Sequence, residues 1–520
     1  MSFTASSHNL IVPIGRSIDA WFDREHDGRA VAILLVLFVP AWTAFHIVAQ
    51  ASVDLHPDLL EIYAWSRHPS AGYYKHPPLG GLMATAWFSV FPVADWSFHL
   101  LAMVNAAIAL FAVDRIARLY LSGDKRLLVL LLLLLTPFYQ FQAQRFASNQ
   151  TLLSTWPIAT YCFLRAFQTR GLAWSAAAGA AAALAMLGKY YSIYLVAGFI
   201  VAALAHPARL AYLRSPSPWI SAAVGLIAFA PHLRWLMTSA FTPFDYVYAA
   251  HGGSSLGQVI ASVGTYLLGG IGYVALPIAA YAMVVRPDLR MLAQTLWPSE
   301  PDRRMLVVLL AAPLLLPALS APFLGVPLTS LWTMQAWFLL PIVLLAPKSV
   351  VVPRSRAVYV AASVLAVTAL ALLAAPVAAW KKHTDGVKHG QAHYRALSDE
   401  ITQEWRRHTQ RPLTIVIGDI HLVGAVTFYG PDHPDSVPDF GLSVAPWVTP
   451  DRLKREGYVV VCDTPVCTGQ ADRLTATEPR AIRREIELSR RYLGQPGEIA
   501  RFIVVIVPPA APSGAGDAPT

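Results

Sequence analysis

Charge is scarce in this 520-residue chain, and acid is scarcest: charged residues make up 14% of it, and only 14 of its 31 acids precede residue 381. A soluble domain carries about 25% charged residues, so a wholly soluble protein is excluded. Cysteine is nearly missing, with three residues, which excludes a disulfide-dense secreted scaffold. Cys162 lies in an apolar run and reads as a core residue. Cys462 and Cys467, in Cys-Asp-Thr-Pro-Val-Cys, are too few for a tetrahedral zinc centre but suit a small disulfide loop in an oxidising compartment. No glycine-rich nucleotide loop occurs, and no internal repeat of the inverted-transporter kind is evident. No cleavable leader is recognisable, because residues 1–29 are polar and the apolar run after them is too long for a leader's core.

Apolar length, by contrast, is abundant. Hydrophobic residues reach 55% and mean hydropathy is +0.47. Runs of 18 or more apolar residues recur, each able to cross a hydrocarbon core about 30 Å thick. Continuous runs mean helices, since barrel strands alternate with period two. Eleven spans are expected, near 30–50, 97–118, 127–144, 152–169, 172–188, 191–206, 218–237, 258–284, 305–323, 327–347 and 357–379. Residues 79–92 read as a shorter interfacial helix.

Orientation follows from lysine and arginine. One set of loops holds fifteen of them, from Arg115, Arg118, Lys125 and Arg126 through to Lys348, Arg354 and Arg356. The opposite set holds five: Arg67, Lys75, Arg145, Lys189 and Arg234. The first set is expected in the cytoplasm. Topology therefore accounts for the net charge of +9 without a nucleic-acid partner.

The expected organisation is a cytoplasmic segment 1–29, a transmembrane domain 30–380 with an outward first loop 51–96, a periplasmic domain 381–507 and a disordered end 508–520. The tail beyond 380 holds 17 basic and 17 acidic residues and is neutral. Leu413–Ile417, Gly457–Cys462 and Phe502–Val507 read as buried strands, and 391–408 and 480–495 as helices. The fold class expected is a mainly α polytopic membrane protein with a small C-terminal α/β domain.

Chemistry gathers in residues 54–79. Asp54, Asp58 and Glu61 follow at spacings of four and three, so a helix over 54–64 puts all three on one face. Close carboxylates repel, which favours a proton or a divalent cation among them, and one of them suits a general base on a hydroxyl. A capped and solvated first helical turn explains the same acids equally well. Lys75 and His76 precede Pro77-Pro78, which fix the backbone and aim a cation at an anionic group such as a phosphate. Tyr73, Tyr74 and Lys75 also fit an interfacial anchor. Arg145 and Asn149 occupy the second outward loop, Lys189 sits between two short apolar segments, and His232 and Arg234 lie at another outward end. Charge near membrane depth marks a site or partner by default, with a snorkelling side chain as the plainer alternative.

On Asp58-Leu-Leu-Glu-Ile-Tyr-Ala-Trp65, Gly72-Tyr-Tyr-Lys-His-Pro-Pro-Leu79, the segment from Arg145 to Trp156 and Gly188-Lys-Tyr190, the sequence resembles the GT-C integral-membrane glycosyltransferases of the family 39 type. Their relatives include protein O-mannosyltransferases, the lipid A aminoarabinose transferase and lipopolysaccharide-core galacturonosyltransferases. The likeness runs over roughly 30–350. It implies inverting transfer of a sugar from a polyprenyl phosphate to a hydroxyl of a lipid or surface glycan, on the periplasmic side of a bacterial inner membrane.

The resemblance makes Asp58 the first acid of the catalytic loop. The family often has Glu next, where this chain has Leu59 and then Glu61, so the roles of Asp54, Asp58 and Glu61 stay open. Donor phosphate falls to Lys75, His76, Lys189 and Arg234, and substrate orientation to Tyr74, Arg145 and Asn149. Relatives often carry Asp where Asn149 stands, and Asn cannot act as a base. No cofactor is demanded. A transporter or flippase of lipid-linked glycans is the alternative, and it calls for polar residues at mid-depth, whereas charges here cluster at span ends. A structural or sensory protein working through its tail is a third reading, against which the tail shows no ligand-binding motif.

Overall fold

The computed structural model describes residues 15–25, 28–239, 242–387 and 391–510, apart from the side chains of 247, 250 and 251. The chain is mainly helical and ends in a five-stranded sheet domain. It divides into two compact units. One holds Met1–Ala44, Tyr74–Gly80 and His99–Leu373, the other Phe45–Tyr73, Gly81–Phe98 and Ala374–Thr520. The loop richest in chemistry therefore splits at Tyr73/Tyr74. Most of the expected 51–96 loop joins the C-terminal domain, while Lys75 and His76 go with the helical unit.

In the helical unit, helices stand at most of the expected spans, including Ser148–Thr169, Leu172–Gly188, Ile193–Ala205 and Ser217–Thr238. Among the described residues five helices are long and apolar enough to cross a membrane alone, or six if Leu256–Tyr273 and Ala275–Val285, bent by 46° at the break between them, are counted as one span. Two further expected spans are broken. At 127–144, helix Asp124–Leu133 stops short of Pro137, which lacks an N–H and bars α geometry before it, and a π turn follows at Phe138–Gln142. At 327–347 only 3₁₀ turns and the short helix Leu340–Leu345 form, between Pro327 and Pro347. The N-terminal residues are tied in: buried Arg126 pairs with Glu25 and, at 2.7 Å, with Asp114. Of the expected segment 1–29, residues 1–14, 26 and 27 lie outside the described part.

In the second unit the sheet runs β2-β1-β3-β5-β4, with β1 Ile415–Gly418, β2 Asp435–Pro438, β3 Tyr458–Cys462, β4 Ile482–Tyr492 and β5 Gln495–Val507. β1 is parallel to β2 and β3, while β5 is antiparallel to β3 and β4. The helix expected at 391–408 forms as Tyr394–His408. The helix expected at 480–495 does not: this stretch is β4. Burial from Ile486 through Leu488, Arg490 and Tyr492 follows period two, and Leu493-Gly494, with φ of 49° and 80°, turns the chain into β5. Cys462 and Cys467 are disulfide-bonded, their Cα atoms 5.4 Å apart. Of the expected disordered end, residues 511–520 lie outside the described part, while Pro508 O accepts a hydrogen bond from Arg480.

Candidate functional site

The first acids belong to the second unit. Pro57 takes the first turn of helix Pro57–Ser66 and the His56 ring accepts from Asp58 N–H, so the helix starts there and not at Asp54. The expected single face of three carboxylates is therefore not built. Asp58 and Glu61 do share a face at i,i+3, Asp58 exposed and Glu61 half-buried. Asp58 Oδ2 lies 3.5 Å from His56 Nδ1.

Asp54 is buried and bound to the tail. It accepts from Arg490 Nη1 at 3.0 Å and from the Arg395 backbone N–H at 3.2 Å, and its own backbone N–H donates to Gln391 O at 2.9 Å. Burial pushes its carboxyl upward, against the pull of Arg490. Arg395 donates to Asp95 at 2.9 Å and lies 4.5 Å over the Tyr429 ring. This is the geometry of a fastening between loop and tail.

The cations of the helical unit converge. Lys189 stands between Leu172–Gly188 and a 3₁₀ turn with an extended backbone, φ −163° and ψ 140°. Its Nζ donates to Asn149 Oδ1 at 2.6 Å and lies 5.0 Å over the Trp332 ring. Lys75 Nζ is 5.4 Å over Tyr74 and 5.2 Å over Tyr246. His76 is driven down to about 3, by desolvation first and then by the charges of Lys189 and Lys75. It is therefore a neutral imidazole at physiological pH, not the cation its position in the sequence implied. Neutral and flanked by two ammonium groups, it offers an N–H to an anion without adding charge.

Around this set, Tyr190 OH meets His232 Nε2 at 3.0 Å and Tyr191 OH meets Tyr266 OH at 3.1 Å. Arg145 and Arg234 are exposed at the ends of their segments, whereas His232, two residues before Arg234, is buried. Trp332 and Tyr246 escaped the sequence reading: one lies in a broken span and the other in a short helix, and neither carries a motif.

Gly188 sets the position of Lys189. A Cβ there would stand 2.7 Å from Thr151 Oγ1 and 3.1 Å from Leu152 Cδ2. Gly188→Ala is expected to cost about 1–2 kcal/mol through overpacking and to displace Lys189 from Asn149. Thermal melting beside sugar-transfer rates checks this, both falling together. Among the described residues no group of three or more His, Cys, Asp or Glu side chains is arranged to hold a metal ion, so no step is assigned to the divalent cation considered above.

The helical unit gathers lysines on aromatic rings, and comparison with known proteins shows what the chain is similar to. Residues 75–235 match the family of dolichyl-phosphate-mannose-protein mannosyltransferases. Over that segment the chain is similar to the GT-C glycosyltransferases of the family 39 type. It is 27% identical over 287 residues to the lipopolysaccharide core galacturonosyltransferase RgtB of Rhizobium johnstonii, a match covering 53% of this chain and 57% of that protein's length. Its fold matches crystal structures of ArnT from Cupriavidus metallidurans. The form bound to undecaprenyl phosphate gives a TM-score of 0.56 at 17% identity, covering 91% of this chain and 98% of that one. The apo form gives 0.58 at 15% identity, covering 92% and 98%.

Proposed function

We propose that this protein is an inverting glycosyltransferase that moves a sugar from a polyprenyl-phosphate donor to a hydroxyl of a lipid, lipopolysaccharide or other surface glycan. Transfer takes place on the periplasmic side of a bacterial inner membrane, with the N-terminus cytoplasmic and the C-terminal domain periplasmic. The observation that carries this reading is the pair Lys75 and Lys189 flanking a neutral His76. Support comes from the lipopolysaccharide-core relative and from the ArnT structure with undecaprenyl phosphate.

In this scheme a carboxylate of the Pro57–Ser66 helix takes the proton of the acceptor hydroxyl. The acceptor oxygen bonds to the anomeric carbon from the face opposite the phosphate, the carbon–phosphate-oxygen bond breaks, and polyprenyl phosphate departs with the electron pair. Lys189 and Lys75 meet the charge that develops on it, and His76 donates a hydrogen bond. Asn149 holds Lys189 in place, Tyr74 backs Lys75, and Arg145 and Arg234 attract the anionic substrates from exposed positions.

Asp58 takes the role of base because it is exposed and leads its helix, with Glu61 beside it and Asp54 committed to Arg490. Asp58→Asn is expected to slow transfer from a radiolabelled polyprenyl-phosphate sugar in reconstituted vesicles by about 10²-fold, the low end for a general base because Glu61 remains. Undiminished transfer removes Asp58 from the role. Movement of lipid-linked sugar across the vesicle without a new glycosidic bond replaces the reading with a transporter.

A further inference from the structure

Away from Lys189, helices Ser148–Thr169, Leu172–Gly188, Ile193–Ala205 and Ser217–Thr238 surround a cavity of about 250 Å³. Its walls are hydrocarbon. Ala178, Gly179 and Ala182 form a small-residue side, and the Phe163 and Phe199 rings, stacked 4.5 Å apart, form another. It opens laterally at Ile200 and Leu204, which are 56% and 48% exposed. Gly179 explains why the slot is walled and not collapsed into an ordinary crossing. A Cβ there would stand 2.1 Å from Ser221 O, so two of the helices already touch backbone to backbone and cannot close further.

An enclosed apolar cavity can stay dry, but a slot that opens laterally between membrane-spanning helices is accessible to whatever surrounds them. Water is a poor occupant, because the slot offers it few free polar partners: Ser221 Oγ is committed to Ser175 O at 2.8 Å and Ser217 O at 3.0 Å. The remaining occupant is a hydrocarbon chain from the bilayer. What heads that chain is set by charge. Tyr212 and Leu213 line the slot and belong to the short helix Arg209–Leu213, so exposed Arg209 and Arg214 sit at its mouth, and exposed Arg170 occupies the turn before Leu172–Gly188. No acid occurs anywhere between Asp124 and Asp245, so these arginines have no counterion within their own stretch of chain. Basic groups between transmembrane helices at a cytoplasmic face are a recognition pattern for anionic headgroups.

We propose that this slot holds one acyl chain of an anionic glycerophospholipid whose phosphate is met by Arg209 and Arg214. It is a structural lipid site, independent of the sugar-transfer reaction and of the groups assigned to it. Native mass spectrometry of the full-length protein, released from micelles after incubation with phosphatidylglycerol, phosphatidylcholine of the same chains, or a polyprenyl phosphate, tests it. Phosphatidylglycerol is expected to be retained over phosphatidylcholine by about tenfold, the difference that near-surface arginines make for an anionic lipid. Arg209→Gln with Arg214→Gln is expected to abolish that preference, and Ala182→Phe to reduce retention of both phospholipids. Because a phenylalanine at 182 could disturb packing, Ile200→Phe on the exposed edge serves as the second variant and should block entry with an unchanged melting temperature. Equal retention of the two phospholipids by the parent protein, or full retention by Ile200→Phe, overturns the proposal. Loss of bound polyprenyl phosphate in Ile200→Phe, with Lys75, His76 and Lys189 intact, also overturns it, by assigning the slot to an isoprenoid.

Discussion

Replacing Lys189 by methionine is expected to lower sugar transfer by about 10²–10³-fold, the effect of removing one fixed charge-stabilising group from a transition state. Methionine keeps the length and apolar stem of lysine, so the surrounding helices lose little packing. What disappears is an ammonium held by Asn149 Oδ1 at 2.6 Å and poised 5.0 Å over Trp332. A cation with two such anchors does not have to be organised when the phosphate begins to leave, and that preorganisation is what makes it effective. Lys75 rests on the Tyr74 and Tyr246 rings at 5.4 and 5.2 Å, and Lys75→Met is expected to raise KM more than it lowers kcat. His76 stays neutral in the Lys189 variant, because desolvation is the larger cause of its low value and Lys189 only the second. The acid limb of the pH–rate profile should therefore be unchanged. Transfer within threefold of the parent, in protein that melts normally, removes Lys189 from the phosphate role.

That Lys189 was legible at all comes from cost: a lysine between two apolar segments is expensive, and expensive residues have reasons. Its partners were not legible, because Asn149 lies 40 positions earlier and Trp332 in a span that prolines break. Helix positions followed from apolar length alone, whereas the breaks at Pro137 and after Pro327 depended on proline. The carboxylate trio failed on one residue. Spacings of four and three fit a helix from Asp54, but Pro57 with His56 before it starts the helix three residues later and leaves Asp54 to the tail. At 480–495 a dense run of arginine and glutamate imitated a solvated helix, while the period-two signal rested on Ile486 and Leu488 and on the Leu493-Gly494 turn. β2 escaped notice because Asp435–Pro438 is four residues long and begins with an acid.

Asp435 leads to the second large effect, this time on stability. It is 8% exposed and gathers two arginines and a histidine from separate parts of its unit. His68 Nε2 lies 2.7 Å from Oδ1, Arg452 Nη1 3.0 Å from Oδ2, and Arg67 Nε 3.8 Å from Oδ1. The His68 ring also stacks on Trp447 at 4.3 Å. One carboxylate thus ties the residues following helix Pro57–Ser66 to β2 and to the helix Pro450–Glu456. Burial alone pushes Asp435 upward, but the hydrogen bonds from His68 and Arg452 outweigh it and hold the carboxyl below its ordinary range. A group depressed in the fold stabilises above its unfolded value of 3.8, and loses that contribution as pH falls through its folded value. Removing one partner from a buried ion pair costs about 3–5 kcal/mol. Arg452 keeps Glu456 at 2.9 Å, so Asp435→Asn is expected near the lower end, about 3 kcal/mol. For a unit of this size that corresponds to roughly 6–12 °C in melting temperature. The gap between parent and variant should be complete at neutral pH and should narrow below pH 3.8, as first the unfolded and then, lower still, the folded carboxylate of the parent takes up a proton. Well below the melting temperature the variant should transfer sugar at nearly the parental rate, since the network fastens loop to tail and takes no part in the reaction. A melting temperature unchanged at neutral pH would mean that Arg67, His68 and Arg452 are satisfied by water, and the fastening would then have to be sought at Asp54 and Arg490 instead.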